Sequence, residues 1–194
     1  MRDRRCQGAE MACQGKGPII VISGQPGSGK STYARRLAND LGLRYFTTGQ
    51  AFRELAKRLG MNLMELNEAA ERDPSIDLEI DRAALREAEK GCVVIDSHLA
   101  GWTLREVADV AIYVKASLPV RAQRLALRDS RPYAEALREA SGRELSHWRR
   151  FYEYYGVDLR DLSGYDLVLD TTRLSVEEAY DIILTFVKKS LGLR

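Results

Sequence analysis

A glycine-rich turn between an apolar run and a helical pattern constrains this chain more than any other feature. Residues 19–32 read IIVISGQPGSGKST, so the apolar run 18–22 stops at the turn and a helical pattern begins at Lys30. The turn matches the spacing G-x-x-x-x-G-K-[ST] in the setting that this pattern requires, with a strand before it and a helix after it. The four fixed positions are Gly24, Gly29, Lys30 and Ser31.

This turn has the chemistry of a phosphate-binding loop. Glycines allow backbone N–H groups to turn inward and approach phosphate oxygens closely, and the helix N-terminus adds a partial positive charge. Lys30 supplies a full charge, and the Ser31 hydroxyl suits a magnesium ligand. The sequence therefore predicts a site for a nucleoside triphosphate with Mg²⁺. The predicted triphosphate contacts from the loop are Gly24, Gln25, Pro26, Gly27, Ser28, Gly29, Lys30, Ser31 and Thr32.

Length and composition limit what else the chain could be. Its 194 residues predict one domain over 18–194, preceded by a disordered leader over 1–17. The net charge of +2 gives no reason to expect a nucleic-acid or membrane partner, and no apolar run approaches the ~18 residues of a membrane span. Three cysteines, Cys6, Cys13 and Cys92, form no C-x-x-C pair, which favours a reduced, cytoplasmic setting.

Strand and helix patterns alternate along the chain, which predicts an α/β fold with three layers, a five-stranded parallel sheet between helices. The predicted strands are 18–22, 43–47, 92–96, 110–114 and 167–170. The predicted helices are 30–41, 48–60, 63–72, 76–90, 117–129, 132–155 and 175–191, with a short helix capped at 103–106 and a helix restart capped at 141–144. Three helices between the second and third strands exceed what a crossover needs, which predicts an inserted lobe.

Several polar residues fall at the carboxyl ends of the predicted strands, where parallel sheets bind their ligands. The glycine-rich loop, Thr48, Asp96 and the pair 171–172 all lie at that edge, which predicts a single cleft. Asp96 ends a buried strand and is, with Ser31, a candidate magnesium ligand. The structural alternative for Asp96 is a helix N-cap or turn carboxylate.

Arginines are concentrated on three predicted helices. Arg53 lies four residues after Gly49, where it suits a clamp on a second phosphate, although a solvated surface arginine fits the same pattern. Helical spacing groups Arg121, Arg124 and Arg128 on one face, and Arg143, His147 and Arg150 on another. Such arginines can stabilise a transferring phosphoryl group, while solvated helix faces are the alternative. Opposite Arg143 and Arg150, the spacing predicts a buried apolar stripe formed by Leu145, Trp148, Tyr152 and Tyr155.

With these residues in place, the sequence resembles the nucleoside monophosphate kinases, and among them the archaeal type of cytidylate kinase. The resemblance covers 18–191, nearly everything except the leader. Its most selective parts are the D-T-T-x-L-S-x-E-E run at 170–178 and the Gly-x-x-x-Arg helix at 49–53. The other matching stretches are GQPGSGKST at 24–32, DPSIDLEID at 73–81, AGW at 100–102 and RELSHWRRFYEYYGVD at 143–158.

The resemblance implies transfer of the γ-phosphoryl group of ATP to CMP and dCMP, with Mg²⁺, by a cytoplasmic monomer. It also implies a monophosphate-binding lobe at 49–88 and a lid at 129–150. By position, the implied catalytic residues are Lys30, Arg128, Arg143 and Arg150, and further ATP contacts come from Arg124, Thr171 and Thr172. The implied acceptor contacts are Thr48, Gly49, Arg53, Asp77, Asp81, His98, Gly101, Trp102 and His147.

Three positions depart from the family pattern, and all are on the acceptor side. Gln50 stands where relatives usually have Asp, His98 where an Arg on the acceptor phosphate is expected, and His147 where an acidic residue is expected. The sequence therefore leaves open an adenylate or other monophosphate kinase. Rivals of other classes are a P-loop ATPase acting as a switch or RNA-associated assembly factor, and a kinase for a shikimate-like polyol.

Overall fold

The computed structural model describes residues 17–193 and has a parallel five-stranded sheet at its centre. The strands are β1 (Ile19–Gly24), β2 (Arg44–Thr47), β3 (Val93–Asp96), β4 (Val110–Lys115) and β5 (Leu167–Asp170), and their order across the sheet is β2-β3-β1-β4-β5. This confirms the predicted α/β class with a five-stranded parallel sheet. In the register, Ile22 of β1 lies opposite Asp96 of β3 and Ile112 of β4.

The three central strands are buried because helices cover both faces of the sheet. On one face, Ile20, Val94 and Ile112 pack against Leu37 and Ile183 of the helices. On the other face, a second cluster forms around Val21, Val93, Ile95, Ala84 and Leu104. Continuous apolar strands are the pattern that such two-sided burial requires.

Within the described part of the chain, eight helices surround the sheet, and their ends follow local capping signals where such signals exist. The helices are α1 (Lys30–Leu41), α2 (Thr48–Arg58), α3 (Leu63–Ala70), α4 (Pro74–Glu89), α5 (Ala100–Thr103), α6 (Leu118–Asp129), α7 (Tyr133–Tyr155) and α8 (Val176–Ser190). Ser175 and Glu178 form the predicted capping box of α8. Helices α2, α3 and α4 lie between β2 and β3, and Leu55, Leu66 and Ile80 give them a small core of their own.

Two predicted capping boxes are wrong. The short helix α5 ends at Thr103 instead of starting there, and the next residue, Leu104, is buried against the sheet. Helix α7 runs without interruption through 141–144, where the Ser141 hydroxyl donates to the Leu137 carbonyl of the preceding turn (2.9 Å). A serine inside a longer helix can donate to the carbonyl one turn earlier instead of capping a new helix.

The buried face of α7 also differs from the predicted apolar stripe. Leu145 is 50% exposed and Tyr152 is 56% exposed, whereas His147, Arg150 and Phe151 are buried. The second half of α7 packs on a polar cleft, so its histidine and arginine side chains point inward, although its first half packs on a small apolar cluster with α6. The apolar stripe therefore did not predict which face of α7 is buried.

The predicted leader, 1–17, lies outside the described residues except for Gly17. The Gly17 carbonyl accepts a hydrogen bond from the Cys92 N–H (3.3 Å). Among the described residues, no helix combines the length and apolar character that crossing a bilayer requires.

Candidate active site

The glycine-rich turn leaves β1 and enters α1 through backbone conformations that side chains would obstruct. Gly24 has φ 155°, and a Cβ there would lie 2.1 Å from the Val114 carbonyl oxygen of β4. Gly29 has φ 98° and is the N-cap of α1. Between them, the Ser28 N–H donates to the Gln25 carbonyl (3.1 Å), which closes the turn. The turn thus places Lys30, Ser31 and Thr32 in the first turn of α1.

Lys30 is buried at the centre of a mainly cationic group. Burial lowers the pKa of Lys30 from 10.5 to about 8, although the nearby Asp96 carboxylate raises it, and Arg143 and Arg128 lower it further. Arg128 pairs with its neighbour Asp129 (2.7 Å), and Arg143 lies 3.5 Å from Glu139 one turn away. The structure thus brings three predicted catalytic cations together, which makes this end of the loop a site for a multiply charged anion.

Arg124 ties the loop to the segment after β5. It donates to the Ser28 carbonyl (3.1 Å) and to the carbonyl and hydroxyl of Thr171 (2.8 and 3.0 Å). The Thr172 hydroxyl accepts from the Ser117 N–H (2.8 Å). Three predicted ATP contacts therefore lie beside the loop, and they already make hydrogen bonds within the protein.

Asp96 and Ser31 could contribute oxygen ligands to a magnesium ion. Asp96 is buried at the carboxyl end of β3, where its Oδ2 accepts from the Tyr45 hydroxyl (2.9 Å), and Ser31 is exposed on α1. One carboxylate and one hydroxyl fit Mg²⁺ when phosphates and water complete its shell. Within residues 17–193, no group of three or more acidic, histidine or cysteine side chains could hold a metal by itself.

The two histidines form a buried pair next to the loop. His98 Nδ1 lies 2.9 Å from the Gly24 carbonyl oxygen, and the rings of His98 and His147 are 4.5 Å apart. Burial holds the pKa of both well below its usual value, and Lys30 and Arg143 lower both further. Because a carbonyl only accepts, His98 carries its proton on Nδ1 and presents a lone pair at Nε2.

Arg150 contacts a carboxylate of α4. Its Nε is 3.1 Å from Asp77 Oδ2 of α4, and both side chains are buried. The contact lacks hydrogen-bond geometry, and neither atom has a hydrogen-bond partner among the described residues. One turn along α4, Asp81 accepts from the Tyr155 hydroxyl (2.6 Å), and burial raises the pKa of Asp81 to about 6.

The remaining predicted acceptor residues fall into an exposed and a packed group. Arg53 is exposed, and a Cβ at Gly49 would lie 3.7 Å from Arg53 Nη1, so its guanidinium folds back toward the start of α2. The Thr48 hydroxyl is 3.5 Å from the Asp96 carbonyl oxygen. Gln50, one of the departures from the family pattern, donates to Glu54 on α2 (2.8 Å).

Gly101 belongs to the packed group. Its N–H donates to the Ser23 hydroxyl (3.0 Å), and a Cβ there would lie 2.0 Å from the Tyr165 ring. Next to it, Trp102 Nε1 is buried without a hydrogen-bond partner among the described residues. Close packing thus accounts for the glycine, while the Trp102 N–H is a free donor.

Sequence reasoning missed Glu144. Its carboxylate accepts from Gln25 of the loop and from Arg121 of α6, both at 2.7 Å. The sequence predicts a capping role for this residue, and nothing in the residues around it indicates the two distant partners.

The comparisons with known proteins agree on one family. The sequence model of the Cytidylate kinase-like family matches residues 19–173. A cytidylate kinase of Staphylothermus marinus is 49% identical over 89% of this chain and 98% of its own length. That of Pyrobaculum aerophilum is 48% identical over 91% and 96%, and that of Aeropyrum pernix is 52% identical over 84% and 95%.

Solved structures show the same fold at lower sequence identity. A shikimate kinase from Bacteroides thetaiotaomicron superposes with a TM-score of 0.60 at 13% identity, covering 91% of this chain and 99% of its own. TT1252 from Thermus thermophilus superposes with a TM-score of 0.61 at 19% identity, covering 90% and 97%. At these identities the structures speak for the fold alone, whereas the family match and the sequence relatives cover most of the chain. This chain belongs to the cytidylate kinase-like family and is a kinase.

Proposed function

We propose that this protein transfers the γ-phosphoryl group of ATP to CMP and dCMP, with Mg²⁺. The main support is the cationic group around Lys30, at the end of the glycine-rich phosphate loop. Relatives named cytidylate kinase align over almost their full length, so the similarity includes the acceptor side of the cleft. A buried cation next to two arginines is stabilised when an anion replaces the lost water.

On the donor side, the loop amides of 24–32 and Lys30 hold the triphosphate. Arg124, Thr171 and Thr172 lie beside the loop, where the adenosine end of ATP would leave it. Arg128 and Arg143 neutralise charge on the phosphoryl group during transfer, as cis arginines do in other phosphoryl transfer enzymes. Ser31 and Asp96 would hold Mg²⁺, which would supply positive charge to offset that of the phosphates.

On the acceptor side, Arg53 binds the monophosphate, with Thr48, Gly49 and the histidine pair lining the same end. Asp77 and Asp81 lie on α4, and Arg150 faces Asp77 from α7. The atoms of Asp77 and Arg150 that have no hydrogen-bond partner among the described residues can contact the base or sugar. Gly101 and Trp102 complete this side, and the Trp102 N–H, which has no partner among the described residues, can donate to the acceptor. Arg150 thus has a recognition role in this proposal, rather than the catalytic one implied by the resemblance.

The transfer needs no covalent intermediate. Alignment of the two nucleotides and neutralisation of their charge account for catalysis of this kind. Because their pKa values are depressed, both histidines are neutral at physiological pH. The two rings therefore do not repel each other electrostatically. Exclusion of water is essential, because water would otherwise accept the phosphoryl group.

A panel of acceptors tests the proposal. ADP formation from ATP and Mg²⁺ is measured with CMP, dCMP, UMP, AMP, GMP and shikimate, and without any acceptor. We expect CMP and dCMP to give the highest kcat/KM. Preference for AMP would indicate an adenylate kinase, activity with shikimate alone would indicate a polyol kinase, and acceptor-independent hydrolysis would indicate an ATPase switch.

We also infer a cytoplasmic monomer of pyrimidine nucleotide metabolism without a nucleic-acid partner. The supporting observations are the small net charge and the free thiol of Cys92. Sedimentation analysis and a filter-binding assay with RNA at two salt concentrations test these points, since phosphate contacts make RNA affinity depend on salt.

A further inference from the structure

Glu144 joins three separate parts of the site. Its Oε1 accepts from Gln25 Nε2 of the phosphate loop, and its Oε2 accepts from Arg121 Nη2 of α6, both at 2.7 Å. Glu144 itself is on α7, the helix that contains most of the predicted lid. One carboxylate therefore connects the lid helix, the loop and α6. We call Glu144, Gln25 and Arg121 together the Glu144 latch.

Arg121 is a fixed anchor for this latch. Its side chain is only 3% exposed, and it donates to the Ala116 and Pro26 carbonyls at 2.9 and 3.2 Å. The loop also rests on its backbone, because a Cβ at Gly27 would lie 2.9 Å from the Arg121 carbonyl oxygen. A buried guanidinium needs a negative partner, and among the described residues Glu144 is its only ion-pair partner.

The Glu144 latch lies next to Arg143, one of the predicted catalytic arginines. Arg143 precedes Glu144 on α7 and is close enough to Lys30 to lower the pKa of that lysine. The only ion pair of Arg143 within the described residues, to Glu139 at 3.5 Å, lies within α7 and cannot hold the helix against the loop. Within 17–193, the Gln25–Glu144 contact is the only hydrogen bond or ion pair that joins α7 directly to the loop, while His147 reaches the loop through His98.

We propose that Glu144 is a positioning residue that holds the lid helix on the phosphate loop, so that Arg143 faces the transferring phosphoryl group and water is kept out. The inference rests on the proposed phosphoryl transfer and concerns its fidelity. Without the latch, the lid closes less often over bound ATP, and more of the phosphoryl groups go to water. Glu144 does not itself touch the reacting atoms.

Two substitutions at this position separate charge from geometry. Glu144→Ala removes both hydrogen bonds and leaves Arg121 buried without its partner. Glu144→Gln keeps the shape, and it can keep both contacts if the Gln25 amide turns over, because Gln25 Oε1 is buried and has no partner among the described residues. Glu153→Ala is the matched control, since Glu153 is exposed on the same helix and makes no ion pair within 17–193.

The experiment measures kcat and KM for CMP transfer, ATP hydrolysis without acceptor, and hydrogen–deuterium exchange of 133–155 with and without ATP–Mg²⁺. For Glu144→Ala we expect kcat for transfer to fall by about 10-fold or more, the size of effect that loss of hydrogen bonds to charged groups gives. The ratio of hydrolysis to transfer rises, and exchange in 133–155 becomes faster. Glu144→Gln gives a smaller change of the same sign, and Glu153→Ala none.

Unchanged exchange in Glu144→Ala would overturn the proposal. So would faster exchange, or a lower melting temperature, with an unchanged ratio of hydrolysis to transfer, because the contact would then be only a structural brace. The exchange measurement needs no acceptor. A wild-type protein that ignores CMP would therefore refute the proposed function, while the exchange result would still show whether Glu144 holds the lid helix.

Discussion

The charged groups around Lys30 and those between α4 and α7 are held in opposite ways. Near Lys30, the arginines pair with neighbours in the sequence: Arg128 with Asp129, and Arg143 with Glu139. Between α4 and α7, the partners come from distant parts of the chain, as in the buried contact of Arg150 with Asp77. One region is held by local pairs and the other by tertiary contacts.

This difference indicates how each side meets its ligand. Local pairs on exposed side chains contribute little to stability, so Arg128 and Arg143 can exchange their carboxylates for phosphate oxygens at low cost. Breaking a buried pair is expensive, since it leaves an uncompensated charge. The donor side is thus prepared for a large negative charge, whereas the α4–α7 interface is balanced beforehand and suits recognition of a neutral group.

The largest expected effect comes from removing the buried donor-side cation. Lys30→Met should reduce kcat for transfer by about 100- to 1,000-fold, as loss of one charge-stabilising group does elsewhere. The same change should raise the stability of the nucleotide-free protein by up to about 3 kcal/mol. The sign follows from the pKa of Lys30, which is about 8 in the folded protein and ordinarily 10.5. The folded state disfavours the charged lysine, so the destabilisation is complete below pH 8 and is lost above about pH 10.5.

Steady-state kinetics and thermal unfolding without nucleotide check both halves of this prediction. Lys57→Met, at an exposed position on α2, is the control and should change neither quantity. Full transfer activity in Lys30→Met would contradict the donor site, and a loss of stability would contradict the view that Lys30 is strained without its ligand.

A smaller effect should distinguish the acceptor phosphate from the donor. Arg53→Ala should raise KM for CMP by about 10- to 100-fold, the usual cost of losing hydrogen bonds to a charged group, and leave KM for ATP nearly unchanged. Arg58→Ala is the control, because Arg58 is exposed on the same helix and its one ion pair within 17–193 is to Glu79 of α4 at the surface. Initial rates at varied CMP and varied ATP give both constants. Equal changes in the two would mean that Arg53 does not discriminate between the sites.

The smallest expected effect is a pH dependence of stability from the α4–α7 interface. Asp81 has a folded-state pKa of about 6, raised from 3.8 by burial. Between these values only the folded state binds the proton, so this residue makes stability fall as pH rises from about 4 to 6, by at most about 1.4 kcal/mol per pH unit. Asp81→Asn should remove that component while keeping an acceptor for the Tyr155 hydroxyl.

Urea unfolding of both proteins between pH 4 and 7 gives the difference directly. Other carboxylates change the slope of each curve, but they cancel in the comparison of wild type with Asp81→Asn. Asp181→Asn, at an exposed position on α8, should leave the slope unaltered. Identical slopes for wild type and Asp81→Asn would show that Asp81 is not desolvated at this interface.

Much of the fold could be predicted because its signals are local. The phosphate loop follows from glycine spacing between a strand and a helix, and the α8 capping box needs only Ser175 and Glu178. The five strands followed from short apolar runs, with ends correct to within two residues. The same local logic failed at 103–106 and 141–144, where a capping pattern was present but the chain around it had other tertiary contacts.

The candidate site could be predicted only in part. Sequence spacing placed Arg143, His147 and Arg150 on one face of α7, and the structure does group them on its inner side. It did not show that Arg150 meets Asp77 while Arg143 approaches Lys30, because the partners are on different elements. The sequence pattern around Glu144 predicted a capping box instead of its two contacts, since both of its partners are distant in the chain.

The sequence by itself determined the phosphate loop, the order of strands and helices, and the family, since each rests on residues a few positions apart or on long aligned stretches. Only the tertiary structure decided which face of α7 is buried and which carboxylate each arginine meets. The physical reason is that an apolar stripe turns a helix toward the protein interior only when the surface on which the helix packs is itself apolar. Helix α7 packs over a charged cleft, where buried cations and hydrogen bonds with distant partners set its orientation.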